Sequence, residues 1–92
     1  MEILKVSSNS NPNKVAGAIA GALSKGPVVE IQAIGAGAVN QAVKAIVIAN
    51  RFLGERGQSL YMVPGFVDVK VDGEERTGLS FKVYLNESKQ PR

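Results

Sequence analysis

Twice in this chain a run of alternating apolar residues gives way to a helical pattern within a few positions, and this double switch limits the fold more than any other feature. The first switch begins with "EILKVS", which sets Leu4 and Val6 on one face and Ile3 and Lys5 on the other. "SNSN" breaks the strand, and Asn11-Pro12 follows. Asn can accept from an orphan backbone N–H at a helix start, while Pro suits the first helical position, where no N–H is needed. Val15, Ile19, Ala22 and Leu23 then line one apolar face, up to a stop at Lys25-Gly26-Pro27. The second switch is "VVEIQAIGAGAVNQAV". Here Val29, Ile31 and Ala33 alternate against Glu30 and Gln32, two glycines follow, and the pattern predicts a helix from about Ala36 to Arg56.

The last third, "SLYMVPGFVDVKVDGEERTGLSFKVYL", reads as a hairpin around Asp72-Gly73. Val67, Val69 and Val71 are expected to point inward before the turn, and Leu79, Phe81, Val83 and Leu85 after it. Pro64-Gly65 predicts an interruption or bulge in the first arm. A two-residue loop would pair Val71 with Glu74 and set core valines opposite charges. Parity therefore predicts a three-residue loop, Val71 to Gly73, pairing Lys70 with Glu74 and Asp68 with Arg76. The element order is βαβαββ. Right-handed crossovers make the first three strands parallel, and the hairpin return is antiparallel. The expected fold class is α+β: a two-layer sandwich in which two helices cover a four-stranded mixed sheet. Residues 1–86 are expected to form one domain, followed by a polar tail over 87–92.

Composition removes several function classes. With 92 residues, 45% of them hydrophobic, the chain supports one core. The longest apolar run, "AVKAIVIA", is interrupted by Lys44 and falls short of the roughly 20 residues a membrane span needs. "MEILKV" has an acidic second residue and no basic segment leading into an apolar one, so no signal peptide is read and a cytoplasmic protein is expected. There is no Cys and no His. A thiolate nucleophile, Cys-ligated zinc and the commonest general base are thus unavailable. The adjacent Glu74 and Glu75 point to opposite faces of a strand and make no acid–base pair. No enzyme, metal or cofactor is expected. Gly35 and Gly37 begin a dinucleotide fingerprint, but Asn40 occupies the third glycine's place, and Glu55, the acid about 20 positions on, falls on the helix. The two glycines read as a tight strand-to-helix turn.

Topology suggests a binding end instead. Both helices start at the carboxyl ends of parallel strands, and the hairpin tip ends a third strand running the same way. One end thus gathers Ser8, Asn9, Ser10, Asn11, Asn13 and Lys14 from the first loop and helix start. Gly35, Ala36 and Gly37 join them from the second turn, and Lys70 and Arg76 from the hairpin. Neither helix has an acid in its first turn, and paired helix N-termini suit phosphate. Eleven Lys and Arg against eight Asp and Glu give a net charge of +3 with no basic run, so binding weak for the fold class is expected. The second helix is apolar on two sides. Val39, Ala42, Val43, Ile46, Val47 and Leu53 are expected to cover the sheet. The other stripe predicts either a homodimer interface of Ala45, Ile48, Ala49 and Phe52, or close cover by the first helix through its Gly17 to Gly21 spacing.

"MEILKVS", "NPNKVAGAIAGAL", "EIQAIGAGAVNQAVKAI" and "DVKVDGEERTGL" resemble the stage V sporulation protein S family, over nearly everything from Met1 to Leu85. The resemblance implies a small bacterial regulator of sporulation or cell development with an Alba-like fold. Alba-like proteins share the βαβαββ order, form dimers and bind DNA or RNA. "AVNQAV" followed by "NRFL", and a "DG" hairpin with basic flanks, carry that wider likeness. Where Alba proteins typically place lysines before the first helix's proline and around the second helix start, this chain has Ser10, Asn11, Gly37 and Gln41. Two functional readings follow. One is a nucleic-acid-binding regulator that uses the loop and hairpin end. The other is a non-catalytic protein-interaction module that keeps the fold and has lost the basic footprint.

Overall fold

The computed structural model describes residues 1–86, and the tail expected over 87–92 lies outside the described residues. The elements are β1 (Glu2–Val6), α1 (Pro12–Leu23), β2 (Val28–Ala33), α2 (Ala36–Gly54), β3 (Ser59–Val71) and β4 (Glu74–Asn86), in the expected βαβαββ order. The strands form one mixed sheet in the order β1-β2-β4-β3. β1 and β2 are parallel, and β4 runs antiparallel to both β2 and β3. β4 thus separates the two strands that the crossover from β2 connects.

The core lies between one face of this sheet and the two helices. Val29 and Ile31 of β2 pair with Val83 and Phe81 of β4, and all four are buried. Ile19 and Leu23 of α1 and Ile46 and Leu53 of α2 close over them. Each large side chain removed from water in this way contributes about 1.5–3 kcal/mol. Alanines fill the narrower spaces: Ala16, Ala42, Ala45 and Ala49 are all fully buried. Gly17 and Gly21 take no part in this packing, because a Cβ added at either would meet nothing within 4 Å. α1 therefore covers its neighbour through Ala16 and Ile19 rather than through a glycine stripe. Among the described residues no helix is long and apolar enough to cross a membrane.

The hairpin departs from expectation in two ways. Val71 pairs directly with Glu74, so the loop has two residues, not three. Asp72 at φ 53° and Gly73 at φ 81° are both left-handed, as a type I′ turn requires. This register places Val67, Val69 and Val71 opposite Gly78, Arg76 and Glu74 on the face away from the helices. The helix-side residues of β3 are Leu60, Met62, Pro64 and Phe66, opposite Leu85, Val83, Phe81 and Leu79. Core parity does not govern this part of the hairpin, because β2 pairs with β4 only as far as Leu79. Beyond that point no helix layer requires buried valines, and the turn residues set the register instead. Second, Pro64 and Gly65 make no bulge: pairing continues without a break from Ser59 to Val71. β3 is an edge strand, where a residue without an N–H can be accommodated.

One glycine fixes how β4 leaves the sheet. A Cβ on Gly78 would lie 2.6 Å from the Ala33 carbonyl oxygen and 2.7 Å from Ile34 Cγ1. Gly78→Ala should therefore cost about 1–3 kcal/mol through overpacking against backbone. Gly73→Ala, strained in the left-handed region but in open space, should cost about 1 kcal/mol. Urea unfolding checks both values, and a Gly78→Ala protein as stable as the unmodified one would contradict this account of the crossing.

Candidate functional site

The loop after β1 is held mainly by its own groups. Ser7 N–H donates to Ser10 Oγ at 2.9 Å, Ser10 N–H donates to the Ser7 carbonyl at 3.1 Å, and Asn9 N–H donates to Ser7 Oγ at 3.2 Å. Asn11 caps α1, accepting from the N–H groups of Asn13 at 2.8 Å and Lys14 at 3.3 Å. Gln41 Nε2 donates to the Ser10 carbonyl at 2.8 Å and ties this loop to α2. The backbone donors of Asn9, Ser10, Asn13 and Lys14, expected to be open to phosphate, are thus engaged within the loop and cap.

α2 begins differently. Gly35 turns at φ 92° and supplies no side-chain cap, so the first N–H groups of α2 keep their positive end exposed. A Cβ on Gly37 would come within 3.0 Å of Ser8 Cβ, which shows how closely the two turns approach.

The hairpin divides the expected site in two. Gly35 and Ala36 line a recess on the helix side, together with Val39, Phe66 and Leu79. Ser8, Lys70 and Arg76 line a separate groove of about 350 Å³, where they meet Lys5, Ser7 and Gln32. Val6, Ile34, Val69 and Val71 give that groove an apolar floor. Lys5 is on the outward side of β1, in register with Gln32 on β2. Arg76 faces Val69 across the hairpin. The expected pairs Lys70–Glu74 and Asp68–Arg76 do not form, since the two-residue turn sets Lys70 opposite Glu75 and Asp68 opposite Thr77. Thr77 Oγ1 donates to Asp68 Oδ1 at 2.8 Å. No ion pair among the described residues engages Lys5, Lys70 or Arg76. Among the described residues no acidic side chain lines the groove.

Gln32 is held in place by a network on the open sheet face. Its Nε2 donates to Glu30 Oε2 at 2.9 Å, and Ser80 Oγ donates to the same oxygen at 2.9 Å. The Glu30 carboxyl is held below its ordinary value, chiefly by the Gln32 bond, with burial opposing and Ser80 and the Lys82 charge assisting. Beside this network Tyr61 and Tyr84 stack with ring centroids 5.0 Å apart.

The apolar surface also differs from expectation. Ala45 and Ala49 are fully buried within the chain, so they are closed to a partner; Ile48 packs partly against the core, and Phe52 stays 47% exposed. Tight helix packing through small residues hides most of that stripe. The open flank of α2 is the one toward β3, where Asn50 Oδ1 accepts from Leu60 N–H at 2.9 Å. Val47, assigned by pattern to the sheet, is 53% exposed there, and Phe66 of β3 is 84% exposed. Val43 and Met62 are exposed on the same two elements.

Sequence reasoning missed Lys5, Ser7 and Gln32. The outward parity of Lys5 on β1 and Gln32 on β2 is readable in the sequence, but the strand order that brings the hairpin to them is not.

Two helices on one face of a mixed sheet, with a hairpin running past its end over an electropositive groove, define a small two-layer α+β protein. The family model of stage V sporulation protein S (SpoVS) matches residues 2–86, from the start of β1 to the end of β4, and the chain belongs to this bacterial sporulation family.

A carboxyl lowered in the folded state adds stability above the ordinary carboxylate range, and this is lost as pH falls through the folded value. Glu30→Gln should therefore lose less stability than the unmodified protein between about pH 7 and about pH 3. Urea unfolding at the two pH values reads the difference; equal losses would contradict the network's role.

Proposed function

We infer that this sporulation-family protein is a cytoplasmic, non-catalytic regulator that binds nucleic acid, DNA or RNA, through Lys5, Lys70 and Arg76. The observation that carries this reading is the convergence of three cations on one groove where, among the described residues, none is in an ion pair and no acid joins the lining. Phosphate is the anion that several spaced cations, two serine hydroxyls and a nearby helix N-terminus suit best. Lys14, exposed in the first turn of α1, adds a peripheral contact. The βαβαββ order and the projecting hairpin are consistent with an Alba-like protein.

With about three phosphate contacts per subunit, log affinity should fall with log salt at a slope of roughly −2 to −3. Raising salt from about 50 to about 200 mM should weaken binding roughly 20- to 40-fold. Arg76→Ala should lower affinity for every sequence alike and make the slope shallower by about 1. Anisotropy titrations of labelled DNA and RNA read both effects. Failure to bind either polymer at the lower salt rejects this function.

The exposed flank of Val43, Val47, Met62 and Phe66 supports a homodimer in which α2 and the edge strand β3 meet a second copy. Val47→Glu or Phe66→Glu should then yield monomers by light scattering at micromolar concentration. An unmodified protein that is itself monomeric there would give precedence to the protein-interaction reading, with this flank turned to another protein.

A further inference from the structure

We propose that the groove beneath the hairpin receives one unstacked nucleotide, which makes single-stranded rather than duplex nucleic acid the ligand of this face. The proposal rests on the nucleic-acid reading above and adds the form of the ligand. The groove is a recess, not a ridge. It lies between the loop after β1 and the distal arms of the hairpin, and its volume of about 350 Å³ is near the lower end for small-molecule sites, enough for one compact unit.

The lining has two chemistries in one place. Lys5, Lys70 and Arg76 supply charge for a phosphate, while Ile34, Val69 and Val71 form an apolar floor. A duplex keeps its bases stacked inside and offers such a site only phosphates, so the floor would stay wet and contribute nothing. A single strand can turn one base outward, lay its flat face on the valines and beneath the Arg76 guanidinium, and keep its phosphate on the lysines. The Gln32 side chain adds direction. One N–H of its amide is donated to Glu30, which fixes the amide's orientation and leaves the oxygen as an acceptor for a base N–H and the second N–H as a donor.

The same chemistry could come from a free nucleotide, and the experiment separates the two sources. Labelled single-stranded oligonucleotide, the same strand annealed to its complement, and a nucleoside monophosphate are each titrated against the unmodified protein. The single strand is expected to bind at least about tenfold more tightly than the duplex, with the monophosphate competing for the site. Lys5→Glu, on an exposed strand face, and Val69→Asp, on the overhanging arm, should each lower single-strand affinity about tenfold or more while leaving the thermal unfolding midpoint near that of the unmodified protein. Because Lys5 and Val69 lie on different elements, a folding defect in one variant leaves the other as the test. Duplex binding equal to single-strand binding, or Val69→Asp binding unchanged, overturns this proposal and leaves the nucleic-acid reading intact. Binding to neither polymer overturns both, and monophosphate binding without polymer binding overturns the polymeric ligand.

Discussion

The pairing of β2 with β4 is the interaction on which the rest of this protein depends. Val29, Ile31 and Ala33 meet Val83, Phe81 and Leu79 there, which fixes the centre of the sheet and the face the helices cover. The two strands are unequal: β2 has six residues and β4 thirteen. The sheet therefore has two regions with different physics. Where β2 is present, side chains alternate between a dry core and an outer face. Where it ends, β3 and β4 continue as a two-stranded ribbon with solvent on the side β2 has left. Gly78 is at the boundary, and its missing Cβ lets β4 pass the Ala33 carbonyl at close range.

The overhang creates the groove. A ribbon of two strands twists more strongly than a covered sheet. Val69, Val71 and Arg76 thereby come to share a recess with Lys5 and Ser8, which are on the opposite side of β2 from the hairpin. The residues that hold the fold and the cations that line the groove are different sets. The loop after β1 satisfies its donors internally and caps α1, and the Glu30 network satisfies its polar groups on the open face. Among the described residues no buried side-chain polar atom lacks a hydrogen-bond partner. The groove cations are outside these networks and remain available.

Local chemistry made the elements legible in the sequence. Asn11-Pro12 opened α1 as an Asn cap and a proline predict, and Asp72-Gly73 marked the hairpin. Register was not legible, because period-2 parity was applied as though a core ran the length of both arms. Val67 and Val69 satisfy a strand propensity without facing the helices. The stripe of Ala45, Ile48, Ala49 and Phe52 was correctly read as apolar, yet small residues gave no sign of which neighbour they met. That depends on how closely α1 approaches, a distance no single-chain pattern encodes. The candidate site was half legible: Ser8, Lys70 and Arg76 do come together, whereas Gly35 and Ala36 face another recess. Lys5 and Gln32 join the first group only because β4 enters the sheet between β2 and β3.

Net charge was a poor guide to this surface, because the placement of the acids matters more than their number. Glu30 is enclosed by Gln32 and Ser80, and Asp68 is bonded to Thr77 on the helix-side parity of the hairpin. Asp72, Glu74 and Glu75 are at or next to the hairpin tip. A polyanion arriving head-on at the tip meets these three carboxylates first. One arriving along the open face of the sheet would meet Lys5 and Arg76 first, with Lys70 beside them in a recess that has no acid among its described lining residues. At physiological salt charges are screened over about 8 Å, so such local differences outweigh the sum over the molecule. Charges of both signs thus sit close together on the distal part of the hairpin, and the recess gathers Lys5, Lys70 and Arg76 without an acid among its described lining residues.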